Sequence, residues 1–136
     1  MSKDILLLVK EKENLFSHYY SNYEKHLVKG NLSKASEFLW GAMCSLIYSI
    51  ALTYGEKLGS HTKMKLFAKR LSEETDDSEI YEAFKFGENL HSNFYHNFLD
   101  IEGLKIIEKK ILVLIEKLQE ILSKKIKERE DYALED

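Results

Sequence analysis

The sequence contains no proline, only six glycines among its 136 residues and a single cysteine. Sheets and long loops usually need proline and glycine at their turns, so this scarcity favours helices. Cys44 cannot form a disulfide within one chain, and its apolar neighbours indicate a small buried thiol. We also expect no signal peptide, because the apolar run over 5–9 is too short for one. We therefore expect an all-α protein that resides in the cytoplasm.

The composition is that of a globular protein with a real core. Apolar residues make up 44% of the chain and charged residues 32%, and the net charge of −3 gives no general attraction to nucleic acid or anionic membranes. Segment 38–55 carries no charge and approaches membrane-spanning length. It also contains hydroxyl residues and Trp40, and amphipathic helices that need a partner flank it. This pattern predicts a buried central helix and no membrane association.

Helical periodicity and capping residues divide the chain into about five predicted helices. The first is predicted over 3–29 and ends at Gly30-Asn31, which can adopt the left-handed conformation that closes a helix. The N-caps predicted for the other four helices are Ser33, Ser60, segment 76–78 and Asp100. Long helices joined by short turns indicate an antiparallel bundle. We expect one bundle domain over 1–123 and a charged tail over 124–136 that frays.

The last predicted helix has more apolar residues than one neighbour can cover. Its main stripe repeats at alternating spacings of three and four, which suits a partner helix. The residues of this stripe are Leu104, Ile107, Ile111, Leu114, Leu118 and Ile121. Ile106, Val113 and Ile115 cannot all face the same neighbour. We therefore expect the chain to form a homodimer.

Segment 87–98 is the most informative stretch, because it places histidines and asparagines on an aromatic-rich helix. Burying such groups without partners costs about 1–3 kcal/mol each, so the segment is either a polar site or a surface that something covers. His91 and His96 are the candidate catalytic residues. They lie about 140° apart on an ideal helix, so they converge only if the helix breaks or a symmetric dimer forms. The alternative is a hydrogen-bonded core His91 and an exposed His96. The candidate binding residues nearby are Glu88, Asn89, Ser92, Asn93 and Tyr95.

Other kinds of site are poorly supported. Glu88 and His91 have the Glu-x-x-His spacing of di-iron bundles, but the second such pair and the other buried carboxylates are missing. We therefore expect no metal and no cofactor. The glycines are isolated, which excludes a glycine-rich phosphate loop. Basic residues cluster on the third predicted helix and form either a solvated face or a contact for a phosphate backbone. The cluster consists of Lys63, Lys65, Lys69 and Arg70.

Segment 90–98 resembles the signature of HEPN domains, which are small all-helical proteins associated with nucleotides and RNA. That signature is arginine, a polar residue, three variable residues and histidine. His96 falls on its histidine, Ser92 on its polar residue and His91 on its arginine. Three blocks in order are similar to the archaeal PaREP-type branch of the superfamily, across about 16–122. The blocks are Gly30-Asn-Leu-Ser-Lys-Ala-Ser-Glu-Phe-Leu-Trp-Gly-Ala42, Ser60-His61 and Leu90-His-Ser-Asn-Phe-Tyr95.

The resemblance implies two functions of different classes. The first is a HEPN-like homodimer that binds RNA, a nucleotide or a partner protein without robust catalysis, such as a nucleotidyltransferase of a toxin–antitoxin or defence pair. The second is a metal-independent endoribonuclease at a dimer cleft. There His96 would deprotonate the ribose 2′-hydroxyl, His91 would protonate the leaving oxygen and Asn93 would orient the phosphate, with Tyr95 nearby. His91 replaces an arginine whose charge is permanent, which makes catalysis less favourable.

Overall fold

Five helices make up the computed structural model, which describes residues 3–135 and the side chains as far as Glu130. The helices are α1 (Lys3–Val28), α2 (Leu32–Thr53), α3 (His61–Thr75), α4 (Ser78–His96) and α5 (Ile101–Glu135). No strand occurs within these residues. The predicted all-α helical bundle is confirmed.

The helix N-termini follow the predicted capping residues with one exception. Ser60, Asp77 and Asp100 accept hydrogen bonds from backbone N–H groups in the first turns of α3, α4 and α5, at 3.2, 3.1 and 2.7 Å. For α2 the prediction of Ser33 is wrong. Asn31 is the cap: its side chain accepts from the Lys34 N–H, and its carbonyl already accepts from the N–H of Ala35 at 3.0 Å. Helical hydrogen bonding therefore begins at Asn31, directly after the left-handed Gly30 (φ +76°).

α2 is the central helix of the bundle and contacts all four of the others. Within the described residues it is also the one helix long and apolar enough to cross a membrane, but 78% of its apolar window is buried inside the protein. The hydroxyls of Ser45 and Ser49 donate to carbonyls one turn earlier, so these buried polar groups are satisfied within the helix. The uncharged 38–55 run is thus the core helix that its composition predicted.

α5 directs its apolar stripe into its own chain. Its stripe residues from Leu104 to Leu118 are buried against α2 and α4, and Ile115 is buried as well. Ile106 and Val113 remain on the surface, with 60% and 47% exposure. The stripe that suited a partner helix is therefore filled within the chain, and only part of the excess apolar surface is left for another molecule.

The charged C-terminal segment continues α5 as a helix to Glu135. The Arg129 guanidinium donates to the carbonyl of Thr53, at the C-terminal end of α2. This bond connects the segment to the bundle, and the expected fraying of the tail stays a prediction. The division of the chain into a 1–123 domain and a separate tail stays a prediction.

Candidate functional site

Two histidines from different helices stack on the same tryptophan. Trp40 lies on α2 and is 6% exposed, while His61 begins α3 and His91 lies on α4. Each imidazole centroid is 5.6 Å from the indole centroid, with interplanar angles of 22° for His61 and 26° for His91. The two imidazoles are therefore separated by at most twice that distance. We call Trp40, His61, His91 and the two glutamates described next the Trp40 site.

A carboxylate holds each imidazole of the Trp40 site. Nε2 of His61 lies 2.7 Å from Oε2 of Glu88, and Nδ1 of His91 lies 3.0 Å from Oε2 of Glu37. Because an ionised carboxylate only accepts hydrogen bonds, the nitrogen facing it carries a proton. The other nitrogen, Nδ1 of His61 or Nε2 of His91, forms no hydrogen bond within the described residues. With 48% and 39% of their side chains exposed, both imidazoles can present that nitrogen to a ligand.

Local sequence spacing positions these side chains. Glu37 and Trp40 are three residues apart on α2, as Glu88 and His91 are on α4, so each pair shares one helix face. The Ser60 cap fixes the start of α3 and therefore the position of His61. α4 supplies the glutamate of one pair and the histidine of the other, which links the two pairs through a single rigid element.

The charge of Glu88 is stabilised by two donors. Oε1 of Glu88 lies 2.6 Å from the Lys85 amine, and Oε2 faces His61. Burial raises the pKa of Glu88, but the hydrogen bonds from Lys85 and His61 outweigh it, so its pKa lies below the ordinary value. The hydrogen bond to Glu88 in turn raises the pKa of Lys85. Glu88 therefore stays ionised and keeps His61 oriented at neutral pH.

The predicted binding residues of α4 are divided between the surface and the core. Tyr95 is 67% exposed, and its ring meets His91 edge-on with centroids 5.4 Å apart. Asn93 is fully buried: its amide donates to Ser36 Oγ at 3.0 Å, and its oxygen accepts from the Leu99 N–H at 2.7 Å. These bonds tie the α4–α5 connection to α2, so the side chain of Asn93 is not placed to orient a phosphate.

His96 is separate from the Trp40 site. It is the exposed last residue of α4, and the helix runs unbroken from Ser78, so it lacks the break that would let His91 and His96 converge. Ser92 and Asn89 are also exposed, and the amide of Asn89 donates to the Phe86 carbonyl at 3.2 Å. Within one chain, therefore, His91 shares the indole of Trp40 with His61, and His96 is not part of this stack.

The basic cluster of α3 extends away from the site. Lys63 and Lys69 are exposed, and Lys63 lies two residues after His61. Arg70 binds Glu56 at 2.8 Å and Glu74 at 3.0 Å, near the C-terminal end of α2. Since a helix rises about 1.5 Å per residue, Arg70 is roughly 13 Å along α3 from His61. Only the N-terminal part of the cluster therefore borders the Trp40 site.

A comparison with models of protein families matches residues 12–115 to the archaeal PaREP1/PaREP8 family. The chain belongs to this family. The matched region contains every residue of the Trp40 site and confirms the resemblance drawn from the three sequence blocks. Comparisons with curated proteins and with solved structures found no match. The wider relationship to HEPN domains stays a prediction.

Three residues of the Trp40 site in this PaREP1/PaREP8 protein were not among the candidate site residues predicted from sequence. His61 and Glu37 had stood out only as parts of matching blocks, and Trp40 as a residue of the predicted buried helix. A signal for Glu37 was present, since it is the only charge on α2 within one turn of the tryptophan. Nothing local indicated that His61 meets Glu88, which lies 27 residues further along the chain.

The side chains of the Trp40 site are too few to form a metal site. Among the described residues, no group of three or more histidine, cysteine, aspartate and glutamate side chains is placed to hold a metal ion. Cys44 is buried in the core, and burial raises the pKa of its thiol. The chemistry available at the Trp40 site is therefore that of two imidazoles, two carboxylates and the neighbouring lysine.

Proposed function

We propose that this protein binds single-stranded RNA at the Trp40 site, as a HEPN-like helical module. The observation that carries this proposal is the pair of glutamate-held imidazoles stacked on Trp40, each with one nitrogen unused by the described residues. A protonated imidazole nitrogen can donate to a phosphate oxygen, and phosphate contacts supply much of the affinity for nucleic acids.

The openness of the site favours an extended ligand. Pockets for small molecules usually bury most of the ligand surface. The imidazoles of His61 and His91, in contrast, are 48% and 39% exposed, on the outer surface of α3 and α4. A polymer that runs across this surface can use contacts on both sides of Trp40, which a small enclosed ligand cannot reach.

The surroundings of the site match the chemistry of a single strand. Lys63 and Lys65 follow His61 on α3, and Lys85 precedes Glu88 on α4, so positive charges border the imidazoles. The ring of Tyr95, which is 67% exposed, packs at right angles against His91 and against Phe94, so it adds exposed aromatic surface beside the site. Basic side chains beside exposed aromatic rings are typical of single-strand binding, because bases stack on the rings while phosphates meet the cations.

Binding is tested by fluorescence anisotropy with a labelled single-stranded RNA in the presence of chelator. His61→Ala and His91→Ala should each weaken binding by about tenfold, the loss expected for one phosphate contact of about 1.4 kcal/mol. His18→Ala is the matched control, because His18 is an exposed histidine on α1 that contacts Asn22. Equal affinities for the wild type and both site variants, with folds intact by circular dichroism, would contradict the proposal.

Metal-independent RNA cleavage is the second candidate function, and the carboxylate behind each imidazole favours it. One imidazole would take the proton of the ribose 2′-hydroxyl while O2′ attacks phosphorus. The P–O5′ bond would then break, and the other imidazolium would give its proton to O5′. The products are a 2′,3′-cyclic phosphate and a 5′-hydroxyl. In this scheme His61 takes the place expected for His96, and the acid–base pair lies within one chain.

Cleavage is tested by resolving the same RNA on a denaturing gel after incubation in chelator. We expect His61→Ala and His91→Ala each to abolish cleavage and His18→Ala to retain it. An RNA with 2′-deoxyribose at the cut position must stay intact, because it lacks the attacking oxygen. If the wild type binds RNA without cutting it, the protein is a binding module only.

A further inference from the structure

An exposed groove between α4 and α5 is separate from the Trp40 site. It has a volume of about 300 Å³ and an apolar floor that includes Phe86 and Val113. Phe86 is 40% exposed and Val113 is 47% exposed, and Ile106 continues the same stripe of α5 two turns earlier with 60% exposure. Several exposed apolar side chains on neighbouring helices are typical of an interaction surface.

The two rims of the groove carry opposite charges. Glu82 lies on the α4 rim, and Lys109 and Lys110 lie on the α5 rim. None of these three side chains forms an ion pair within the described residues, although the Lys110 amine sits 4.6 Å from the Phe86 ring centroid. At one end, Lys117 does bridge the rims, by binding Glu79 at 3.0 Å. Elsewhere the charges face solvent, and a ligand that pairs with them must itself carry one acidic and one basic edge.

We propose that a second copy of this chain docks on the α4–α5 groove and forms a twofold dimer. A second copy has the same groove, with the same apolar floor between one acidic and one basic rim. Its surface is therefore complementary to the groove of the first copy. Only a twofold axis parallel to the groove brings the acidic rim of each copy against the basic rim of the other. α4 of one copy then faces α5 of its partner. The contact is isologous, so each charge pair occurs twice.

The helix directions suit this arrangement. Lys117 of α5 binds Asp77 and Glu79 at the start of α4, whereas Lys110, two turns earlier in α5, lies over the ring of Phe86 further along α4. The two helices of one chain are therefore antiparallel. With the axis along the groove, α4 and the partner's α5 are antiparallel as well, which places opposite ends of the helix dipoles side by side.

The dimer leaves the Trp40 site free. Phe86 and Glu88 are two residues apart on α4, so their side chains point about 160° away from each other. The groove and the Trp40 site therefore lie on opposite faces of α4, and each copy keeps its own site on the outside of the dimer. This inference does not rest on RNA binding, and its test has an independent readout.

The test is a comparison of charge-reversal variants by sedimentation and light scattering over a dilution series. We expect the wild type to be a dimer. Glu82→Lys makes both rims basic, and Lys109→Glu combined with Lys110→Glu makes both rims acidic. Each variant alone should dimerise at least about tenfold more weakly, because like charges then face each other. An equimolar mixture should restore the dimer, because both rims are then complementary. Glu73→Lys, at an exposed position of α3, is the matched control.

Three results would overturn the inference. They are a wild type that stays monomeric throughout the series, a dimer that the reversals leave unchanged, and folded variants that remain monomers when mixed. The RNA affinity of the Glu82→Lys variant, measured by anisotropy and expressed per protein chain, is compared with that of the wild type. This comparison separates dimer formation from the proposed RNA binding. Loss of the dimer with unchanged RNA affinity is the expected combination.

Discussion

At the scale of single residues, the hydrogen bonds of each polar side chain separate structural from functional groups. Asn93 is buried and uses both ends of its amide within the fold, which makes it a structural residue. His61 and His91 use one nitrogen each and are partly exposed. The Tyr23 hydroxyl and Nδ1 of His26 are buried and form no hydrogen bond within the described residues. Such groups cost stability instead of adding to it.

The two tyrosines Tyr23 and Tyr54 should therefore respond in opposite ways to loss of the hydroxyl. We expect Tyr23→Phe to leave the free energy of unfolding unchanged or to raise it by up to about 1 kcal/mol, because an unpaired buried group is removed. The Tyr54 hydroxyl donates to Glu74 at 2.6 Å, and burial together with Glu74 raises the pKa of Tyr54 to about 12. Tyr54→Phe should lower the unfolding free energy by about 1 kcal/mol. Urea denaturation measures the unfolding free energy of both variants. A clear loss of stability in Tyr23→Phe would mean that the Tyr23 hydroxyl has a hydrogen-bond partner in solution.

At the scale of helices, the start of α4 depends on one aspartate with two roles. Oδ1 of Asp77 caps α4 by accepting from the Glu79 N–H at 3.1 Å, and Oδ2 accepts from the Lys117 amine of α5. The hydrogen bond from Lys117 is the largest effect on Asp77 and lowers its pKa below the ordinary value. Burial acts in the opposite direction, and the hydrogen bond from the Glu79 N–H lowers the pKa further. One carboxylate thus both begins a helix and fixes it to its neighbour.

Two substitutions at Asp77 separate these roles. Asp77→Asn retains a capping oxygen but loses the charge, so it should cost up to about 1 kcal/mol, the range for a partly exposed ion pair. Asp77→Ala removes both roles and should cost about 1–2 kcal/mol. Thermal unfolding compares the two variants with the wild type. Equal losses would mean that the cap contributes nothing beyond the ion pair.

The pH dependence of the Asp77 ion pair has a definite sign. Because its pKa is lower in the folded state, its stabilisation is fully present above the unfolded-state value of about 3.9 and is lost as the pH falls through the folded value. The advantage of the wild type over Asp77→Asn should therefore be constant near neutral pH and shrink below about pH 4. An advantage that grows in acid would contradict this assignment.

At the scale of the whole molecule, the helices differ in how much of their surface is buried against the rest of the bundle. α2 contacts all four other helices, whereas the backbone of α1 packs against α2 alone. Among the described residues of α1, only Val9 and Tyr23 are buried. α2, in contrast, buries most of its length. Helices with few buried contacts open at lower free energy than the core they cover.

Amide hydrogen exchange should follow this difference. We expect segment 3–15 of α1 to exchange faster than segment 39–52 of α2, because local opening of α1 does not require the other helices to separate. Mass spectrometry of peptides from the two segments measures the protection directly. Equal protection would show that another surface covers α1 in solution.

Two of the five residues of the Trp40 site were predicted from the sequence, but the pairing of the side chains was not. Glu88 and His91 were predicted because they lie in segment 87–98, where polar groups are concentrated on an aromatic-rich helix. His96 was predicted as the partner of His91 because it is near in sequence and matches the HEPN signature. The structure instead brings His61 to the same indole, and the helix keeps His96 outside the site. The two pairs are joined by long-range contacts that no helical periodicity encodes.

By itself the sequence determined the helices and the family. Periodicity, capping and the scarcity of turn formers act over a few residues, so they set five helices, most of their N-caps and the buried faces of α2 and α5. Only the tertiary structure decided which polar groups meet. The hydrogen-bonded pairs of the Trp40 site span 27 and 54 residues, and their members lie on three helices. Such distances depend on how the helices pack, because no local rule along the chain extends that far.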